Sequence, residues 1–375
     1  MKKSKILCLS RAPLDYFGGI PAYCVNLYKS GIFDVTTFSY DINNEIKKST
    51  KRRINNIKEV IFPSEITYRT FAISFNYFIK IIKNIHQFNY VHLQYPDPFS
   101  GLAVIFGKLI NPKLKIIITW HAEIYSSYKT LSPIILLQDL FLFLIARKII
   151  YFTPMHVKDS FLAKIFFVKQ KIIIIPNCID LKNIKRFFVP KEDKFILKNK
   201  NQINILSIGR LVSYKGYEYA IKAFSKLDKK YRYKIIGDGP LKKELGSLIS
   251  SLGLDQRVQI LGNVSDKLKY DYLNAADIFM FPSISKSEAY GLVQIEAMCF
   301  ELPIVNTFLD NGVNFLAPPD IAYTSEPKSV TSLVNAILEI SRDDEYYSSR
   351  IQKVEKILSE LSLEKMIKMY KQIFN

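Results

Sequence analysis

The chain reads as an α/β protein of two doubly wound domains facing a cleft, and three observations carry that reading. Its 375 residues exceed what one compact core usually serves. Short apolar, β-branched runs alternate with helical patterns, which is the mark of a parallel sheet covered on both faces. The alternation breaks at a polar, lysine-rich stretch, Lys191 to Gln202, taken as the interdomain connection, and starts again beyond it. Ligands are then expected at the carboxyl ends of the strands.

In the first half, strands are expected at Lys5 to Leu9, Tyr90 to Leu93, Leu114 to Thr119, Lys148 to Phe152 and Lys171 to Ile175. The opening MKKSKILCLS has a basic tip, but its apolar stretch is too short for a signal peptide and reads as the first strand. Gly18-Gly19 follows that strand and precedes the helical run Ala22 to Tyr28; two glycines there admit a diphosphate or an acceptor, or simply make a tight turn. Trp120-His121-Ala122-Glu123 closes the strand Leu114 to Thr119, a position that favours a ligand-facing His121, although a lone histidine also serves in purely structural roles. The H-x-E pattern occurs in zinc deaminases too, but Pro176-Asn177-Cys178 lacks the second cysteine of their P-C-x-x-C motif. His86, His92 and His156 share no ligand spacing, so no metal is expected. Leu131 to Phe152 is the most membrane-like segment, yet Gln138, Asp139, Arg147 and Lys148 interrupt it, and a span needs roughly 20 apolar residues.

In the second half, strands are expected at Asn204 to Ile208, Tyr233 to Ile236, Val258 to Leu261, Ile278 to Phe281 and Pro303 to Asn306, with helices such as Tyr217 to Lys226 and Leu241 to Leu252 between them. Gly209-Arg210-Leu211-Val212-Ser213-Tyr214-Lys215-Gly216 puts two cations in a strand-end loop, suited to a diphosphate or equally to water. Ile236-Gly237-Asp238-Gly239-Pro240 is a second strand-end turn. Most informative is Ser287 to Met298, which places Glu288, a glycine turn at Gly291 and then Glu296 at the mouth of a helix. First-turn amides favour phosphate, Gly291 allows close approach, and the two carboxylates accept from hydroxyls. Arg350 to Asn375 reads as one charged amphipathic helix with no strand after it.

Composition narrows the partners. The chain has 53 Lys+Arg against 34 Asp+Glu, a formal charge of +19, which favours an anionic partner: nucleic acid, an acidic membrane surface or a phosphorylated substrate. Lys47, Lys48, Lys51, Arg52, Arg53 and Lys58, followed by the apolar Tyr68 to Ile82, suggest contact with an anionic bilayer, against a plain basic loop beside a core helix. Cys8, Cys24, Cys178 and Cys299 form no CxxC pair, which fits free thiols in a reducing, cytoplasmic setting.

Taken together, these residues resemble the retaining, nucleotide-sugar-dependent glycosyltransferases of the GT-B fold, glycosyltransferase family 4, which includes bacterial mannosyl- and rhamnosyltransferases. The resemblance runs in order through FGGI, WHAE, PNCID (Pro176 to Asp180), GRLVSYKG, GDGPL, GNV (Gly262 to Val264) and SEAYGLVQIEAM, the last carrying the family's two glutamates eight positions apart. It implies two Rossmann-like domains, 1–190 on the acceptor side and 203–352 binding the donor, with a C-terminal helix, 353–375, crossing back to the first. It also implies roles. Gly209, Arg210 and Lys215 hold the donor diphosphate, with Gly18 and Gly19 bordering it from the other domain. Glu288 and the backbone of Tyr290, Gly291, Leu292 and Val293 contact sugar hydroxyls and phosphate. Glu296 accepts from the ribose, Gly262 and Val264 touch the base, and His121 sits near the reacting sugar.

By the same resemblance the chain transfers a hexose or deoxyhexose to a glycan, lipid-linked, in lipopolysaccharide, O-antigen, capsule or exopolysaccharide synthesis, without metal or other cofactor and without nucleic acid. The enzyme is expected in the cytoplasm, peripheral at the inner face of the plasma membrane. Asn306 to Val313 is similar to the NT-x-L-x-SGV loop of the mannosyl- and rhamnosyltransferase-like branch, which favours GDP-mannose as donor. Two departures stand out: Glu301 replaces the family's glycine, and Asn314 to Tyr323 is short and lacks a glycine before the last strand. Other classes remain open: a nucleic-acid-binding protein, a non-catalytic subunit, or a GT-B sugar-nucleotide epimerase.

Overall fold

The structure is a computed structural model that describes residues 3–16, 18–68, 71–122, 132–190, 201–343 and 346–375. Phe17, Glu123 and most of the Lys191 to Gln202 connection, each singled out in the sequence, lie outside the described residues. The chain divides into two compact units, Met1–Cys178 with Leu363–Asn375, and Ile179–Ser362.

The first unit opens with β1 (Lys5–Leu9), α1 (Gly19–Tyr28) and β2 (Asp34–Tyr40), then a hairpin of β3 (Thr50–Ile54) and β4 (Ile57–Phe62). A small antiparallel pair, β5 (Ile66–Tyr68) and β6 (Phe71–Ile73), leads to α2 (Phe75–Asn84), β7 (Tyr90–Tyr95), α3 (Pro98–Ile110) and β8 (Lys115–Trp120). After α4 (Ser132–Ile145) come β9 (Lys148–Tyr151), α5 (Pro154–Asp159), α6 (Phe166–Lys169) and β10 (Ile172–Ile174). The sheet order is β10-β9-β8-β7-β1-β2-β4-β3, parallel throughout except for β3 against β4. Its central strands are buried on both faces, as continuous runs such as Ile116 to Trp120 require.

The edge hairpin gives two of the basic residues structural partners and leaves Lys47, Lys48, Lys51 and Arg53 exposed. Lys47 to Lys58 was expected as a basic surface stretch meeting lipid, but most of it folds as β3 and β4, turning through Asn55, whose φ is +52°. Arg52 is held by Asp15, at 2.5 and 2.7 Å, and by Glu59 at 2.7 Å; Lys58 pairs with Asp34 at 3.1 Å. Cations engaged in this way neutralise carboxylates of the same unit and guard a sheet edge.

The second unit contains α7 (Leu181–Lys185), β11 (Ile203–Ile208), α8 (Tyr217–Phe224), β12 (Tyr231–Ile236), α9 (Lys242–Ser251), β13 (Val258–Gly262) and α10 (Asp266–Ala275). It continues with β14 (Ile278–Phe281), α11 (Val293–Cys299), β15 (Ile304–Thr307), α12 (Gly312–Leu316), β16 (Tyr323–Ser325), α13 (Val330–Ile340) and α14 (Tyr346–Glu360). Its sheet is wholly parallel, in the order β13-β12-β11-β14-β15-β16. The unit starts ahead of the lysine-rich stretch because the segment after α7 packs onto α10: Phe187 stacks on Tyr270 at 4.7 Å, and Asn274 Nδ2 donates to Phe187 O at 2.7 Å.

The expected single helix over Arg350 to Asn375 is two. Ser362 forms a parallel bridge with Ile179, which interrupts the helical ladder, and α15 (Leu363–Ile373) then belongs to the first unit. There Tyr370 enters a buried polar chain: its hydroxyl meets those of Tyr23 and, at 3.1 Å, Thr119, while His92 links Thr119 at 2.7 Å to Tyr28. Leu131 to Phe152 resolves, within the described residues, into α4 and β9; no described helix is long and apolar enough to cross a membrane.

Candidate functional site

In the second unit, the strand order reverses between β11 and its neighbours β12 and β14, so loops leaving β11 and β14 diverge and open a crevice at their carboxyl ends. The sequence-predicted loop Gly209 to Gly216 leaves from this point, as does the segment Ser283 to Leu292, which carries the start of the predicted Ser287 to Met298 motif. They are laced together. Ile284 N donates to Tyr214 O at 2.8 Å, and Gly216, with φ +69°, lies so close to β14's exit that a Cβ there would stand 2.1 Å from Pro282 O.

That lacing brings Lys215 and Glu288 into an ion pair, each side chain about 11% exposed. Lys215 Nζ also lies 4.7 Å from the centre of the Phe281 ring. Glu288 accepts from Ser283 Oγ at 3.3 Å, and its backbone carbonyl accepts from Asn311 Nδ2 at 2.7 Å. Burial raises the pKa of the neighbouring Tyr214, and the Glu288 carboxylate pushes it the same way, which keeps the phenol protonated as a donor.

Gly209 follows β11 with its amide on Ile236 O, and Arg210 beside it is exposed. Gly291 takes φ +78°, and a Cβ there would meet the Phe281 ring at 3.0 Å, so a left-handed turn and tight packing both require the glycine. Tyr290 is buried, Leu292 caps α11, and Val293 begins it. Glu296, one turn in, pairs with Lys269 of α10 at 2.9 Å. Burial draws the Lys269 pKa down, but the Glu296 carboxylate outweighs it and leaves the ammonium's pKa raised. Gly262 closes β13 beside the Gly237–Asp238 turn, its carbonyl accepting from Gly237 N at 2.9 Å, with Val264 following. The structure thus joins Lys215 to Glu288 directly, while Glu296 has a separate cationic partner that sequence reasoning missed.

Sequence reasoning also missed a buried amide network behind the loops. Asn306 donates to Gln294 Oε1 at 3.1 Å and Ala317 O at 2.9 Å, and accepts from Thr324 Oγ1 at 3.1 Å. Gln294 Nε2 donates to Val313 O at 3.1 Å; Asn314 Oδ1 accepts from Leu309 N and Asp310 N at 2.7 and 3.0 Å. Thr307 Oγ1 donates to Ser283 O. The available signal was several amides within otherwise apolar runs, positions that must be satisfied when buried.

Both departures from the family pattern acquire a physical account. Glu301 sits just past α11 with φ +55°, and the amides of Glu301 and Leu302 close on Met298 O and Ala297 O, so a left-handed helix cap is made without glycine. From Asn314 to Tyr323 no residue takes a positive φ, so β16 pairs with β15 without needing a glycine before it.

In the first unit, Gly18 and Gly19 open α1 in extended and helical backbone; a Cβ on Gly19 would meet nothing within 4 Å, and on Gly18 only ordinary contacts. Tyr23 of the same helix meets His121 edge-to-face at 5.2 Å, with Phe152 on the imidazole at 5.0 Å. His121 follows β8, and its Nε2 pairs with Gln94 Oε1 at 2.9 Å. Burial, with His92, His156 and Arg11 adding to it, holds its pKa well below the usual histidine range, so the ring is neutral at pH 7.

Residues 188–357 match the family described as glycosyl transferases group 1. An uncharacterized glycosyltransferase of Haemophilus influenzae is 30% identical over 201 residues, 52% of this chain and 55% of that protein. The O-antigen chain mannosyltransferase C of Escherichia coli is 23% identical over 340 residues, covering 88% of this chain and 86% of that one. The chain spans only 39–64% of the length of the first curated relatives it matches. Anabaena HepE in complex with UDP superposes with a TM-score of 0.77 over 99% of both chains at 17% identity, a likeness of fold. Residues 188–357 are thus similar to the group 1 glycosyl transferases, and the chain's two Rossmann-like units have the fold of the GT-B glycosyltransferases.

Proposed function

We propose that this protein transfers a hexose or deoxyhexose from a nucleoside-diphosphate sugar to a hydroxyl of a glycan acceptor, with retention at the anomeric carbon. The observation that carries the reading is the buried Lys215–Glu288 pair at the point where the strand order reverses, braced by Ser283 and Asn311. The group 1 match over residues 188–357, the O-antigen mannosyltransferase relative and the UDP in HepE support it.

In this reading the ammonium of Lys215 has three N–H groups, and those not spent on Glu288 meet the donor diphosphate together with Arg210. The bond between the anomeric carbon and the phosphate oxygen breaks, its electron pair going to that oxygen. The acceptor hydroxyl bonds to carbon on the same face, and its proton passes to the departing phosphate. Lys215, held by Glu288, the exposed Arg210 and the first-turn amides of α11 stabilise the growing negative charge, the task a metal performs elsewhere. Glu288 accepts from sugar hydroxyls, Glu296 from the ribose, and the neutral ring of His121 offers a hydrogen bond rather than a charge. The Asn306–Val313 loop favours GDP-mannose, and a lipid-linked acceptor in surface-polysaccharide synthesis at the cytoplasmic face of the membrane completes the proposal.

The test is a melting screen with GDP-, UDP- and dTDP-sugars, followed by transfer assays of Glu288→Gln and Arg210→Ala. Donor binding should raise the melting temperature, and each substitution should cut transfer roughly a hundredfold or more in a folded protein. Near-normal transfer by both variants would refute the assignment; release of altered free sugar without acceptor would favour an epimerase.

A further inference from the structure

Helices α2, α3 and α4 lie side by side in the first unit. Phe78 of α2 meets Phe99 and Phe106 of α3 at 5.6 and 6.0 Å, and Gln138 of α4 donates to Pro98 O at 2.8 Å. Their inner faces are buried, as expected: Ala103, Val104 and Gly107 on α3, Ile135, Leu142 and Phe143 on α4. Their outer faces are apolar as well. On α3, Leu102, Phe106, Leu109 and Ile110 are 39–73% exposed, and on α4, Ile134, Leu137, Phe141 and Leu144 are 44–68% exposed. Both sets recur every three or four residues, so each helix presents a continuous apolar stripe away from the core. Single exposed apolar side chains need no explanation, whereas two adjacent stripes do.

The charge around them selects the occupant. Between Phe75 and Ile150 the acids among the described residues are Asp97 and Asp139, both fully buried. Lys80, Lys83, Lys113 and Arg147 are exposed on the same stretch. The exposed carboxylate at the start of α2, Glu65, accepts from Phe75 N at 3.0 Å, so the exposed charge on this stretch is mainly cationic. A bilayer with anionic headgroups fits such a face, because acyl chains take the stripes while phosphates meet the cations. At 13 and 14 residues, α3 and α4 are too short to span a bilayer and would lie in its surface.

We propose that the outer face of α3 and α4, flanked by α2, docks this protein on an anionic lipid surface. The inference deepens the membrane-face part of the proposed function, and lipid binding without a nucleotide sugar tests it separately from sugar transfer.

The test is flotation of the full chain with phosphatidylcholine vesicles, with and without phosphatidylglycerol, and no nucleotide sugar present. Wild type should float with the anionic vesicles and weakly with the neutral ones. Leu109→Glu combined with Leu137→Glu should lower partitioning roughly tenfold or more with unchanged melting, since both side chains are already in solvent. Lys80→Glu with Lys83→Glu should abolish the preference for anionic lipid, by about tenfold. Failure of wild type to float, or equal flotation of the leucine variant, overturns the proposal. So does a dimer in light scattering that the leucine substitutions dissociate while lipid binding is absent.

Discussion

Breaking the Lys215–Glu288 pair from either side tests whether it organises the donor loops. Each side chain is about 11% exposed, so the charges interact at an effective dielectric near 20, where contact is worth about 4 kcal/mol before desolvation. Desolvation offsets most of that in the intact pair but not in a broken one. Lys215→Met strands Glu288 with Ser283 Oγ at 3.3 Å and should cost about 3 kcal/mol. Glu288→Gln leaves Lys215 over the Phe281 ring at 4.7 Å, which recovers about 1 kcal/mol, so about 2 kcal/mol is expected. The double variant, with no stranded charge, should lose only about 2 kcal/mol, giving a coupling of about 3 kcal/mol. The single tryptophan, Trp120, belongs to the first unit and is blind to this change. Native-state hydrogen exchange of peptides spanning β11 to α8 and β14 to α11 reads it directly. Additive losses, with coupling below about 0.5 kcal/mol, would show that the pair does not hold the two loops together.

Glu301→Gly should stabilise the second unit by about 0.5–1 kcal/mol, because relief of a left-handed residue outweighs the added freedom of the unfolded chain. The second unit's melting temperature should rise about 2 °C, and a fall would contradict the cap. Burial lowers the His92 pKa from 6.5 to about 3. Above pH 6.5 the ring is neutral folded or unfolded; below it the unfolded chain takes up a proton that the folded one refuses, so stability falls with pH, by about 2 kcal/mol at pH 5. His92→Gln should recover that part of the acid loss, measured by Trp120 fluorescence at pH 7 and pH 5; an unchanged pH dependence would contradict it. His156, lowered to about 4, contributes with the same sign.

The strands read from β-branched runs appear where expected because residues such as Ile116 to Thr119 are buried on both faces and so carry no polar alternation to confuse them. Strands β2, β3 and β4 were missed for the opposite reason. Asp34 to Tyr40 mixes threonine and serine into a buried strand, and Thr50 to Ile54 is an edge strand whose Lys51 and Arg53 resemble a solvated loop. The candidate site was legible as residue types at strand ends, and Lys215 and Glu288 were both named from the sequence. Their ion pair was not, because 73 positions separate them and only the adjacency of β11 and β14 brings them together.

Local chemistry along the chain, meaning apolar period, glycine turns and the spacing of two carboxylates across a helix start, was enough to establish the α/β class, the repetition of the unit and the loops that carry charge. These features depend only on neighbours a few residues apart. Strand order, the partner of each charge and the face each helix shows to solvent depend on contacts between distant segments. Only the fold decided that Glu296 meets Lys269 rather than solvent, that Arg52 serves Asp15 and Glu59 rather than a lipid surface, and that the apolar excess of α3 and α4 faces outward. The physical reason is the same in each case: a side chain's charge and hydrophobicity are intrinsic, but what neutralises or covers it is supplied by whichever residues the sheet topology brings alongside.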